Sequence, residues 1–240
     1  MPDRVLCGNR SGPPFGISTV GACTVYQFSG DAEDPGNPGF SLIPPTPLEA
    51  GAALTLDGPG GQKNIPRINP GVYSASLNTI EVGGFEVPGG PPYLAPGTHT
   101  VSGTVGTDVP AFEVSKTLPQ FLVWSNKAQI NNISRAGGVT VTWTGGGVGE
   151  VVYITGSSIA QVSDEVFVGA GFICQAPVAA GTFTVGPAVL QVLPASLVME
   201  GFSTGSLQVG TTSTTQVNIP NLDIATFTFL GLDGKTVNYQ

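Results

Sequence analysis

Val139-Thr-Val-Thr-Trp143, Gly145-Gly-Gly-Val-Gly149 and Val151-Val-Tyr-Ile154 follow one another in the second half of the chain, and their reading decides the fold. In the first run apolar side chains alternate with threonine at a period of two, which sends one kind to each face of a strand. The third run resumes with β-branched and aromatic residues that suit a pleated, half-buried surface. Between them the glycines lead into a strand and not into a helix. They therefore lack the helix N-terminus that would hold a phosphate, and no P-loop lysine follows. The spacing predicts a hairpin turn there.

The same alternation recurs outward in both directions, in Ala53-Leu-Thr-Leu56, His99-Thr-Val-Ser-Gly-Thr-Val105, Thr182-Phe-Thr-Val185 and Thr226-Phe-Thr-Phe229. Composition agrees. The 240 residues hold 35 glycines and 21 prolines, about twice average usage, which disfavours long helices. Ala188–Leu193, between two prolines, is at most a helical turn or a strand. Charged residues make up only 10% of the chain, well below the usual share of about a quarter. Strands with one apolar and one hydroxyl face fit antiparallel sheets packed in pairs. The predicted fold class is all-β, with two Ig-like antiparallel β-sandwich modules in tandem.

The division into modules rests on an internal echo. Glu49-Ala-Gly-Ala-Ala-Leu-Thr-Leu56 and Arg135-Ala-Gly-Gly-Val-Thr-Val-Thr-Trp143 share an Ala-Gly followed by a threonine-spaced strand. Each is followed later by an Ala-Pro turn and a Gly-Thr-x-Thr-Val strand. The expected boundaries are an extended Gly/Pro-rich lead-in over 1–46 with one or two strands, a first module over 47–118 and a second over 119–240. Gly181-Thr-Phe-Thr-Val185, the strand ending in Trp143, Cys174-Gln-Ala-Pro177 and Leu193-Pro-Ala-Ser196 resemble the Ig-like modules of uncharacterised exported proteins of soil bacteria. The resemblance covers about 47–240. It implies a secreted or surface-bound protein and carries over no catalytic residue.

Net charge is −8, and the eight basic residues are scattered along the chain. A nucleic-acid groove needs clustered cations to release phosphate counterions, so nucleic acid is excluded as a partner. The uncharged stretch 166–199 is broken by Pro177, Pro187 and Pro194, which excludes membrane insertion by a helix. Met1–Cys7 lacks the apolar core of a signal peptide, so the extracellular or cell-surface location is an expectation from the resemblance and composition. Of the three cysteines, Cys7 and Cys23 are the disulfide candidate. Their bridge would close a loop of about 16 residues and contribute roughly 3 kcal/mol. Cys174 then reads as a small buried apolar side chain.

Chemistry-bearing constellations are few. The single histidine, His99, sits between threonines without a nucleophile elbow and reads as a solvent-facing spacer. Asp31, Glu33, Asp34 and Asn37 form the one dense oxygen cluster, a candidate calcium site lacking EF-hand spacing because Pro35 stands at a ligand position. No other cofactor is expected. Trp124 and Trp143 read as core, whereas Tyr73 and Tyr93, next to Gly/Pro loops, are the candidate exposed rings for ligand binding. The chain is thus expected to be a non-enzymatic extracellular structural or adhesive protein. The alternatives are a carbohydrate-binding module assisted by calcium and a polysaccharide-acting hydrolase. Expected partners are an extracellular glycan or another surface protein, with self-association through edge strands.

Overall fold

A computed structural model of the chain describes residues 15–31, 46–77, 80–82, 85–87, 91–163, 166–199 and 201–240. Strands β1 (Phe15–Val20) and β2 (Cys23–Asp31) form a hairpin about Gly21, whose φ is 59°. The first half continues with β3 (Ala53–Gly58), β4 (Gly61–Asn69), β5 (Val72–Tyr73), β6 (Ile80–Val82), β7 (Phe85–Val87), β8 (Gly97–Gly103) and β9 (Phe112–Leu118). The second half opens with β10 (Val123–Trp124), β11 (Asn132–Ile133), β12 (Val139–Thr144), β13 (Val151–Gln161), β14 (Val166–Pro177) and β15 (Thr182–Val185). One helical turn, α1 (Pro187–Leu190), precedes β16 (Val198–Met199), β17 (Phe202–Ser203), β18 (Gly205–Val217) and β19 (Ala225–Tyr239). The all-β class read from the alternation is therefore the observed one, and the segment 188–193 supplies only that turn.

Two sheets sandwich the main core. The larger runs in the order β1-β2-β14-β13-β18-β19-β11, and the smaller in the order β10-β12-β15. Val152 and Ile154 of β13, Phe172 of β14, and Leu207 and Val209 of β18 are fully buried from one side. Trp124, Val141, Trp143 and Val185 meet them from the other, and Val189, Leu190 and Leu193 close one end. Each such side chain contributes about 1.5–3 kcal/mol by leaving water. The two indole N–H groups are not orphaned: Trp143 donates to the Val178 carbonyl (2.9 Å) and Trp124 to Asn126 Oδ1 (3.0 Å).

The run Gly145–Gly149 is not a hairpin turn. β12 pairs with β10 and β15, whereas β13 pairs with β14 and β18, so the glycines carry the chain from one sheet across to the other. Alternation marks a strand but not its neighbour, and here Trp143 and Ile154 face the shared core from opposite layers. The crossing is tight. Gly145 has φ 75°, and a β-carbon on it would stand 2.3 Å from the Phe121 carbonyl oxygen.

Residues 15–31 are likewise not a separate lead-in. β2 pairs with β14 from Asp31↔Val166 to Cys23↔Cys174, which joins these strands to the sheet of the second half. That register also corrects the cysteine assignment: the disulfide links Cys23 to Cys174, and Cys7 lies outside the described residues. Cys174 is buried as expected, but as half of a cross-strand bridge.

The first half builds a five-stranded sheet in the order β5-β4-β3-β8-β9. Its cover comes from the second half. β18 pairs with β13 only over Ser206–Thr211, so Thr212–Val217 and their β19 partners Ala225–Leu230 run on as a two-stranded arm. The arm tip inserts Ile219 beside Ala50 and Val109, with Leu54, Phe112 and Leu222 around them. Along the arm, Thr215 Oγ1 accepts a 2.5 Å hydrogen bond from the buried Lys116 ammonium.

Replacing Gly145 by alanine is expected to cost about 1–3 kcal/mol, from left-handed strain and the collision with Phe121. Gly149→Ala, with φ 81° but no atom within 4 Å of the new β-carbon, carries only the backbone penalty of about 1–2 kcal/mol. Denaturant titration checks the order, and equal losses would mean that the chain does not cross at close quarters.

Candidate functional site

The sheet face turned away from the main core is built by residues of the opposite parity. On β2 these are Thr24, Tyr26 and Phe28; on β14, Phe167, Gly169, Gly171, Ile173 and Gln175. β13 adds Tyr153, Thr155, Ser157, Ile159 and Gln161, and β1 adds Ile17. None of these side chains is charged, on a protein of net charge −8. Ile17 is 66% exposed, and Phe28, Phe167, Ile159 and Ile173 each keep more than a third of their surface in water. Beside them runs a hydroxyl and amide ladder, with Ser157 and Ser206 hydroxyls 2.9 Å apart and Thr155 donating to Gln208 Oε1 at 3.4 Å.

Glycines shape this surface. Phe28 lies opposite Gly169 and Tyr26 opposite Gly171 in the β2–β14 register. A β-carbon at Gly169 would stand 2.2 Å from the Phe28 ring, and one at Gly171 would stand 2.4 Å from Tyr26. The two rings thus lie down over bare backbone. This is the use of glycine inside a strand that lets a neighbour approach closely. The contiguous apolar area so formed, rimmed by polar groups, has the character of an interaction surface. The sequence marks it only faintly, as two glycines spaced i, i+2 inside a strand run.

The tyrosines selected from sequence are elsewhere and do structural work. Tyr93 is only 8% exposed; its backbone N–H donates to Leu77 O at 2.9 Å and its hydroxyl donates to the Gly61 carbonyl, with the Leu56 carbonyl 3.1 Å away. Tyr73 is half-buried, donating to Gly51 O (2.7 Å) and accepting from the Ala50 N–H (2.8 Å). Both rings pin loops onto the five-stranded sheet; Tyr93 is buried and not the exposed ring expected, and Tyr73 is half-buried. Proline and glycine neighbours signal a turn, and a turn residue with a polar tip is often the one that ties the turn down.

Glu33, Asp34 and Asn37, the candidate calcium ligands with Asp31, lie outside the described residues, and Asp31 is described only as the last residue of β2. Among the described residues no group of three or more His, Cys, Asp or Glu side chains converges. A cavity of about 600 Å³ opens at one end of the main core, lined by Gln27, Arg135, Ala170 and Leu193 among others. Arg135 Nη1 donates to Leu193 O at 2.8 Å there. No helix among the described residues is long and apolar enough to cross a membrane. In comparisons with protein-family models, with curated proteins and with solved structures, nothing matches this chain.

Two phenols are held away from their ordinary titration. Burial pushes Tyr239 far up, its hydroxyl donating to Ser206 O at 2.8 Å, and burial followed by the Asp57 carboxylate pushes Tyr93 up. An acid whose folded pKa is raised stays protonated in the native state after its unfolded counterpart, near 10, has ionised. The native state then binds more protons than the unfolded one, so stability falls as pH rises above about 10. An absorbance titration of tyrosinate is expected to show these two of the five tyrosines ionising late, together with the loss of structure. Smooth ionisation of all five before unfolding would contradict the burial.

Proposed function

We propose that the chain is a non-enzymatic extracellular structural or adhesive β protein whose contact surface is the outer face and open edge of its seven-stranded sheet. The observation that carries this reading is the uncharged face on which Tyr26 and Phe28 lie over glycines beside Ile17, Phe167 and Ile173. Among the described residues β1 ends that sheet, and its sequence Phe-Gly-Ile-Ser-Thr-Val holds neither the charge nor the proline that commonly blunts an edge. Its outer backbone groups suit antiparallel addition of a second copy, which would continue both the sheet and its apolar face. The Cys23–Cys174 bridge supports an oxidising, extracellular setting. The facing of the two sheets across one core supports reading 119–240, with β1 and β2 added, as a sandwich module of the Ig-like kind.

Sedimentation velocity of the full chain from low micromolar to millimolar concentration tests the proposal. Wild type is expected to associate, and Ile17→Lys is expected to remain monomeric with an unchanged melting curve, because a charge on the edge faces its own copy across the junction. A wild-type chain that stays monomeric throughout would remove the homotypic reading.

One observation favours a second reading, a carbohydrate-binding surface. Flat rings seated on glycines beside Ser157, Thr155 and Gln175 offer stacking with hydroxyl and amide partners alongside. Depletion by insoluble chitin or cellulose, with and without calcium, tests this reading. Loss of binding in Phe28→Ala would support it, and no depletion of wild type would remove it.

A further inference from the structure

The arm and the five-stranded sheet do not close on each other completely. Between them lies a cavity of about 230 Å³ whose walls are Leu56, Leu94, Val101 and Leu118 on one side and Phe227 and Leu230 on the other. A second space of about 520 Å³ shares Leu94, Phe229 and Leu230 with it and is lined by the stacked rings of Phe121 and Phe229. One polar side chain lines the inner cavity from the sheet: His99, which is 1% exposed.

His99 is not the solvent-facing spacer its threonine neighbours suggest. Its parity places it on the inner face of β8 with Val101, directly opposite the buried Lys116 of β9. Nδ1 lies 3.1 Å from the Gly97 carbonyl, which can only accept, so the neutral ring carries its proton on Nδ1. Nε2, on the other edge of the ring, is then a lone-pair acceptor; it is fully buried and has no hydrogen-bond partner. The ring packs closely on the backbone of Gly58, where a β-carbon would stand 2.6 Å from Cδ2 and 2.9 Å from Nε2.

A buried acceptor without a partner costs about 1–3 kcal/mol, and native proteins retain few of them. Water is a poor remedy in this cavity, because a buried water needs two to four polar partners, and besides His99 the lining is leucine, valine and phenylalanine with one threonine, Thr228, whose hydroxyl is already paired with that of Thr214 at 3.0 Å. An apolar body carrying one donor satisfies both the walls and the nitrogen. Benzene occupies an apolar cavity of about 150 Å³, so the larger volume here suits one or two fused rings.

We propose that this cavity is a binding site for a small neutral aromatic molecule bearing a single N–H or O–H donor, of the indole or phenol class, which donates to His99 Nε2. The site is independent of the outer sheet face, and its occupancy does not require association of the chain.

Calorimetry of the full chain with indole and with N-methylindole, matched in shape and lacking the donor, tests the assignment. Indole is expected to bind about tenfold more tightly, the equivalent of one hydrogen bond of about 1.4 kcal/mol to a buried acceptor. His99→Phe keeps the apolar bulk and is expected to equalise the two. Because the chain has a single histidine, its ring nitrogens can also be followed by ¹⁵N NMR in wild type, so no variant has to fold for the test to succeed. The Nε2 resonance is expected to move on adding indole and to stay in place with N-methylindole. Absence of saturable binding by either compound, equal affinity for both, or tighter indole binding with an unmoved Nε2 resonance would each overturn the proposal.

Discussion

A five-stranded antiparallel sheet with leucines and a histidine on one face cannot stand in water on that side, and the arm formed by β18 and β19 is what covers it. One face of β19 serves two cores in succession: Phe227 and Phe229 lie over the first sheet, and Val237 and Tyr239 sit in the main core. The β18–β19 hairpin therefore holds the two halves of the molecule in one arrangement. Lys116 shows how closely they meet, since its buried ammonium finds its hydrogen-bond partner in Thr215 of the arm. Removing an unpartnered charge from water would be far more costly than this arrangement.

Glycine is the second organising element, and its roles differ from place to place. At Gly145 it permits a left-handed backbone next to a carbonyl where the chain changes sheets. At Gly169 and Gly171 it leaves room for rings to lie flat on a strand, and at Gly58 it lets a buried imidazole pack directly on backbone. The abundance that in composition disfavoured long helices is thus partly a device for close approach within strands. Rings and glycines have to be read together across two strands before this can be seen.

Local features were legible in the sequence because they depend on local spacing. The period of two in Val139–Trp143, Thr182–Val185 and Thr226–Phe229 gave strands where strands occur, and the buried indoles of Trp124 and Trp143 followed from their apolar runs. Long-range facts were not legible. Nothing near Cys23 distinguishes Cys174, 151 residues away, from Cys7 as its partner. Only the β2–β14 register does that. The threonines flanking His99 describe the outer face of β8, while the histidine faces an arm contributed by residues more than a hundred positions later. The exposure expected of Tyr73 and Tyr93 failed for the same reason: the carbonyls that hold them come from segments distant in sequence.

The account depends on the arm as the cover of the first sheet, and hydrogen–deuterium exchange on Ile219→Asp tests that most directly. Placing a carboxylate between Ala50 and Val109 is expected to detach the arm tip, so that amides of β3, β8 and β9 lose protection while those of β13 and β14 keep theirs. Unchanged protection in β3, β8 and β9 would contradict the account, because the first sheet would then be stable without its cover.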